Sequence, residues 1–231
     1  MIVWLTFAVV LLVMLVSAQT ILDQNSSGAA VLALPSAGVP ISFEQTEGYS
    51  RKLEDGRSTV EVIESAVCRD SGGRLRIRSE IRFSDNSPSS YTDLIDPVAG
   101  RRVLLLDNEK IGYRMPLPQG SEGRFAFLGI GDEKASLHKW VAKSENLGKR
   151  TFDGVELDGT RIVQAAVDDP TLINTTEQWY SDKLKLIGTV TISGPYGSYA
   201  ARIRNLRRGE PDPKLFAVPS DSKIVDLRFP K

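Results

Sequence analysis

Arg74-Leu75-Arg76-Ile77-Arg78-Ser79-Glu80-Ile81-Arg82-Phe83 sets Leu75, Ile77, Ser79, Ile81 and Phe83 at one parity and Arg74, Arg76, Arg78, Glu80 and Arg82 at the other. Successive side chains of a strand point to opposite faces, so ten residues of this alternation specify a half-buried strand. The preceding segment, Thr59 to Val67, is β-rich, and Asp70-Ser71-Gly72-Gly73 between the two supplies turn residues that tolerate positive φ. The pair reads as a hairpin.

The pattern extends in both directions. Leu94-Ile95-Asp96-Pro97-Val98-Ala99-Gly100 is a strand running into a turn, Val103 to Leu106 the next strand, Asp107-Asn108-Glu109 the next turn, and Ile111, Tyr113 and Met115 alternate after it. An Asp153-Gly154 turn lies between Arg150 and Val163, followed by β-rich runs at Leu172 to Tyr180, Leu184 to Ile192 and Ser198 to Leu206. The expectation is a mainly β fold, an antiparallel half-open barrel or curved sheet of about nine to ten strands. One or two short helices interrupt it. Ala135, Leu137, Trp140 and Val141 have helical spacing within Glu133 to Val141, and Asp212 is placed to cap a turn begun by Pro213.

The chain has 231 residues, 29 Lys and Arg against 29 Asp and Glu, one Cys and one His. A lone Cys68 excludes an intrachain disulfide, and a lone His138 excludes His-rich metal sites. Neutral charge, with the Arg74–Arg82 and Arg202–Arg208 stripes set opposite apolar partners, argues against nucleic acid. The stripes read instead as a charged exterior, with contact to an anionic membrane surface as the second reading. No GxSxG elbow accompanies His138, and no glycine-rich loop joins a strand to a helix. Asp153, Glu156 and Asp158 read as turn carboxylates rather than a calcium site. The expectation is a non-enzymatic protein with no catalytic residues, no metal and no cofactor.

Residues 1–18 read as a signal peptide: an apolar run of about 15 residues from Ile2 to Val16, short of the ~20 that span a bilayer, ends in Val16-Ser17-Ala18. No Lys or Arg precedes the run, which keeps an uncleaved anchor open as the alternative. Residues 19–40, rich in Ser, Ala, Gly and Asn with Pro35 and Pro40, read as a flexible arm, and residues 41–231 as one β-rich domain. The expected location is periplasmic or secreted.

Two sets of residues carry a resemblance. Asp212-Pro213-Lys214-Leu215-Phe216 with Val218-Pro219 and Ile224-Val225, and Ile41-Ser42-Phe43-Glu44-Gln45-Thr46 near the start, resemble the closing and opening segments of the periplasmic lipoprotein-carrier (LolA-like) fold. Arg69-Asp70-Ser71-Gly72-Gly73-Arg74, Ile95-Asp96-Pro97, Glu177-Gln178-Trp179-Tyr180-Ser181 and Arg208-Gly209-Glu210-Pro211-Asp212-Pro213 are similar to segments of exported proteins of Acidobacteria type. The carrier resemblance implies an apolar half-barrel cavity holding a lipid, lipoprotein or other hydrophobic ligand. In such a shape Phe43, Leu75, Ile77, Ile81 and Phe83 on the inner face and Trp140 and Trp179 at the rim are the expected ligand-binding residues; the chain is separately expected to be a monomer. The alternative is a fully packed β-domain that serves as an envelope protein-interaction module. An inward Ile reads the same in a packed core and in a cavity wall.

Overall fold

The computed structural model describes residues 32–33, 35–53, 55–82, 88–117, 139–195 and 197–227. Residues 1–18, expected to be a signal peptide, and Phe83 and His138 lie outside them.

Twelve strands form one open, curved sheet: β1 (Ile41–Lys52), β2 (Ser58–Arg69), β3 (Leu75–Arg82), β4 (Pro88–Asp96), β5 (Arg101–Leu106), β6 (Ile111–Pro116), β7 (Trp140–Phe152), β8 (Val155–Ala166), β9 (Ile173–Ser181), β10 (Leu186–Gly194), β11 (Gly197–Arg208) and β12 (Lys223–Asp226). The order across the sheet is β12-β6-β5-β4-β3-β2-β1-β11-β10-β9-β8-β7. All pairings are antiparallel except β12 with β6.

The count exceeds the nine or ten expected, chiefly because two elements are hard to read. Trp140 and Val141, expected to end an amphipathic helix, instead begin β7, where Asp153-Gly154 folds the chain into a long hairpin with β8. Trp140 and Val141 are β-favouring and are held in a strand by pairing with β8, while Glu133 to His138 lie outside the described residues. The four-residue β12 lacks any alternation long enough to see. Among the described residues the helical element is a single 3-10 turn, Pro213–Phe216, begun by Pro213 and capped by Asp212, whose Oδ1 accepts from the Lys214 amide at 2.9 Å.

The alternation of β3 holds in the structure. Leu75 and Ile77 are buried and Arg78 exposed, while Arg76 is half-buried. Cross-strand register sets Ile41, Arg69, Leu75 and Ile95 in one row, then Phe43, Val67, Ile77 and Asp93, then Gln45, Ser65, Ser79 and Tyr91. The core face thus changes character along the strands. Its first two rows are mainly apolar and join Val190, Tyr199, Ala201 and Ile203 in the main core; the third is polar.

The expected arm ends docked rather than free. Leu32 and Ala33 are buried in the core, the Leu32 carbonyl accepts from the Ile187 amide at 2.8 Å, and Ala33 bridges Leu186. Arg69, 0% exposed, fixes the neighbouring strand ends by donating to the carbonyls of Val39 (2.9 Å), Lys185 (3.2 Å) and Leu184 (2.5 Å). A planar guanidinium can serve several acceptors at once, which is how this cation is tolerated in the core. Burial pulls its pKa down to about 10.

After β11 the chain crosses the end of the sheet as a strap. Gly209 donates to Pro40, the 3-10 turn packs at β3, and β12 joins the edge beside β6. Ile224 and Val218 cover a small second core of Leu94, Val103 and Leu105.

Candidate functional site

Two groupings stand out from the packing. The first lies on the core face, where the apolar parity of β1 (Ile41, Phe43) continues into Gln45 and Glu47, 1% and 0% exposed. Glu47 Oε2 accepts from the hydroxyls of Tyr49 (2.9 Å) and Tyr199 (3.0 Å), and Oε1 accepts from Gln45 Nε2 at 2.6 Å. The two tyrosine rings lie 4.8 Å apart across the β1–β11 pairing. Burial, reinforced by the adjacent Glu47 carboxylate, raises both phenol pKa values far above the ordinary range. Both hydroxyls therefore remain donors. Nearby, Ser65 and Ser79 share a hydrogen bond of 2.9 Å, and Asp93 holds Arg102 through Nε (2.8 and 2.9 Å) and Nη2 (2.7 Å). Asp93 keeps that guanidinium protonated above its usual value. Each of these polar groups is matched, so the network is a specifying core element more than an open site.

The second grouping is a cavity of about 280 Å³ under the C-terminal strap, at the end of the sheet where β4 turns into β5. Leu75, Leu94, Ile95, Val103, Phe216 and Val218 line it with apolar surface, while Arg74, Arg101, Arg114 and Asp96 bring charge to it. Each arginine is engaged differently. Arg74 Nε lies 2.6 Å from Asp70, and its guanidinium stacks 5.1 Å over the Phe216 ring. Arg101 reaches Asp96 only at 3.9 Å. Arg114 Nη1 stands 3.4 Å from Asp226, and its Nε is buried without a hydrogen-bond partner among the described residues. Guanidinium forks beside apolar surface suit a ligand that is oily at one end and anionic at the other. The size sits near the lower end of the ~300–1,000 Å³ common for small-molecule pockets.

Of the residues expected to bind ligand, Leu75 alone lines this cavity. Phe43 and Ile77 are buried 4% and 2% exposed in the main core beside Leu75, and Ile81 is half-buried further along β3. Trp179 packs against the core with its ring 4.1 Å beneath the Arg150 guanidinium and its Nε1 donating to Glu177 at 3.1 Å. Trp140 is half-exposed at the start of the edge strand. The seven expected residues are therefore not brought to one pocket among the described residues. The carboxylates weighed for calcium have structural tasks: Asp153 accepts from the Leu206 amide at 3.1 Å and Glu156 pairs with Lys149 at 2.7 Å. Glu47 was findable from sequence as a charge on the buried parity of β1. The arginine cavity was not, because the strap that encloses Arg74, Arg101 and Arg114 returns from the far end of the chain.

No family model and no curated protein matches the chain, and the finer likeness to exported proteins of Acidobacteria type gains no support. Solved structures resemble it at low identity. The MucA/MucB complex of Pseudomonas aeruginosa aligns at 13% identity and a TM-score of 0.40, covering 81% of this chain and 59% of that chain. An outer-membrane lipoprotein-sorting protein domain from Vibrio parahaemolyticus aligns at 11% and 0.33, covering 73% and 85%. The lipoprotein LppX of Mycobacterium tuberculosis aligns at 12% and 0.37, covering 74% and 87%. This chain thus spans about three-fifths of the MucB-complex chain it matches. LolA-superfamily and lipoprotein-sorting structures are among the solved folds it resembles; likeness at this level extends to neither ligand nor partner.

Proposed function

We propose that this chain is an exported, non-enzymatic binding protein whose ligand is an amphiphile with an anionic head, an acyl chain ending in carboxylate or phosphate. One observation carries the reading: the cavity under the strap combines an apolar lining with the guanidiniums of Arg74, Arg101 and Arg114, and Arg114 Nε has no hydrogen-bond partner among the described residues. An unmatched buried donor is costly, and an anionic head would satisfy it. The acyl chain would lie against Leu94, Val103, Phe216 and Val218. The apolar leader Ile2–Val16 with its Val16-Ser17-Ala18 site supports export. This reading keeps the hydrophobic ligand expected from sequence but moves its seat from the Phe43–Ile77 face to the strap.

The test is titration of the full chain, in mild detergent, with a pyrene-labelled fatty acid and with its methyl ester. The acid should bind at least about tenfold more tightly than the ester, which is ~1.4 kcal/mol. Arg114→Gln should remove most of that preference. Equal binding of acid and ester, or no binding of either, would overturn the reading in favour of a packed interaction domain.

A further inference from the structure

β7 is the terminal strand on one side of the sheet, and no other described strand pairs with its outer edge. Every residue from Val141 to Asn146 is exposed, on both faces of the sheet, with Val141 57% exposed. The bonding parity of the edge follows from one contact: the Val167 amide donates to the Lys139 carbonyl at 2.8 Å. In an antiparallel ladder, bonded pairs alternate with unbonded ones, so Val141, Lys143 and Glu145 bond to β8 in the register 141↔165, 143↔163 and 145↔161. The N–H and C=O groups of Ala142, Ser144 and Asn146 consequently point away from β8, to the free edge.

Charge selects the occupant. Glu145 accepts from Arg161 at 3.0 Å, and Arg161 also reaches Glu177 at 3.2 Å, a row of alternating sign that ends at the edge. Lys143 makes no ion pair among the described residues. If a second copy lies antiparallel with Ser144 opposite Ser144, each Lys143 faces the other copy's Glu145 and extends that row from both sides. Moving the two-fold by one residue, which is a two-residue slip of the strands, sets Lys143 or Glu145 against itself, and like charges directly opposite are destabilising. Beyond Asn146 the bulge at Gly148, with φ +79°, ends the regular edge.

We infer that β7 is a homodimer interface: two copies join edge to edge about a two-fold axis at Ser144, forming one continuous sheet through about six backbone hydrogen bonds. Such an isologous contact removes the aggregation hazard of a long open edge. The contact is narrower than a standard protein interface, so dimerisation is concentration-dependent. The sequence expectation of a monomer is replaced by this reading.

The test is sedimentation equilibrium of the full chain in mild detergent, with three variants. The unaltered chain should show a mass that doubles with rising concentration. Ser144→Pro, which removes the outward amide and leaves the bonds to β8 intact, should weaken self-association at least tenfold without changing the β-sheet circular dichroism. Lys143→Glu and Glu145→Lys should each be monomeric alone and form a mixed dimer when combined, since only the mixture sets opposite charges across the two-fold. A wild-type monomer at every concentration, a dimer insensitive to Ser144→Pro, or no association on mixing the two charge variants would overturn the inference.

Discussion

Tyr199 on β11 donates its hydroxyl at 3.0 Å to Glu47 on β1, a residue 152 positions earlier in the chain and fully enclosed. The bond ties the two halves of the sheet together across their one shared boundary. Tyr199→Phe removes a donor from a buried carboxylate and should cost about 1–3 kcal/mol, read as a lowered urea midpoint at unchanged m-value. The pH dependence has a definite sign. Because the folded pKa values of Tyr49 and Tyr199 lie above the unfolded value of about 10, their contribution is complete below pH 10 and is lost as pH rises above it. Of the six tyrosines, these two should show no phenolate absorbance near 295 nm until the chain unfolds.

Arg69→Met should cost about 3 kcal/mol or more, because three carbonyls on two separate segments, Val39 and the Leu184–Lys185 turn, lose their donor inside the core. Thermal melting reads the loss. Arg69→Lys should recover only part of it, since a single ammonium cannot span the same acceptors.

Ile77→Asp should unfold the domain. The site is 2% exposed beside Phe43 and Val67, so the change forfeits roughly 1.5–3 kcal/mol of apolar burial and adds an unpaired carboxylate. Arg78→Glu, one residue on and exposed, should shift stability by less than ~1 kcal/mol. Circular dichroism melts of the two variants distinguish the faces.

Gly159→Ala should displace Trp179. A β-carbon at residue 159 would lie 2.6 and 2.7 Å from the ring and 2.9 Å from the Leu147 β-carbon, and the ring also carries the Arg150 guanidinium at 4.1 Å. The expected outcome is a shift in tryptophan emission with a loss of about 1–3 kcal/mol, the usual cost of overpacking. An unchanged spectrum would mean the ring has room to move.

The β class, the β2–β3 hairpin, the Asp212-Pro213 turn and the inward parity of Leu75 and Ile77 were all legible, because each depends on local alternation or on one turn residue. Two features were not. Val141 begins a strand because β8 pairs with it, and nothing within the Ala135–Val141 spacing announces a partner across the Asp153-Gly154 turn. Arg74 precedes β3 while Arg101 and Arg114 lie on β5 and β6, and only the return of the chain after β11 roofs them with Phe216 and Val218. Glu47 lies between these cases. Its parity on β1 was visible, while the two tyrosines that accommodate it come from opposite ends of the domain.

The order of strands has a kinetic consequence. β1 to β6 neighbour one another in sequence, as do β7 to β11, and the two meanders pair strand to strand only where β1 meets β11. Each meander is assembled from local hairpins, whereas the junction between them joins residues such as Tyr49 and Tyr199 across most of the chain. Long-range pairing of this kind carries the loop-closure entropy and forms late. Contacts absent from the folding transition state govern how fast the native sheet comes apart. The Glu47–Tyr199 contact therefore acts as a latch on the unfolding rate, and loosening it shortens the lifetime of the folded chain more than it slows its formation.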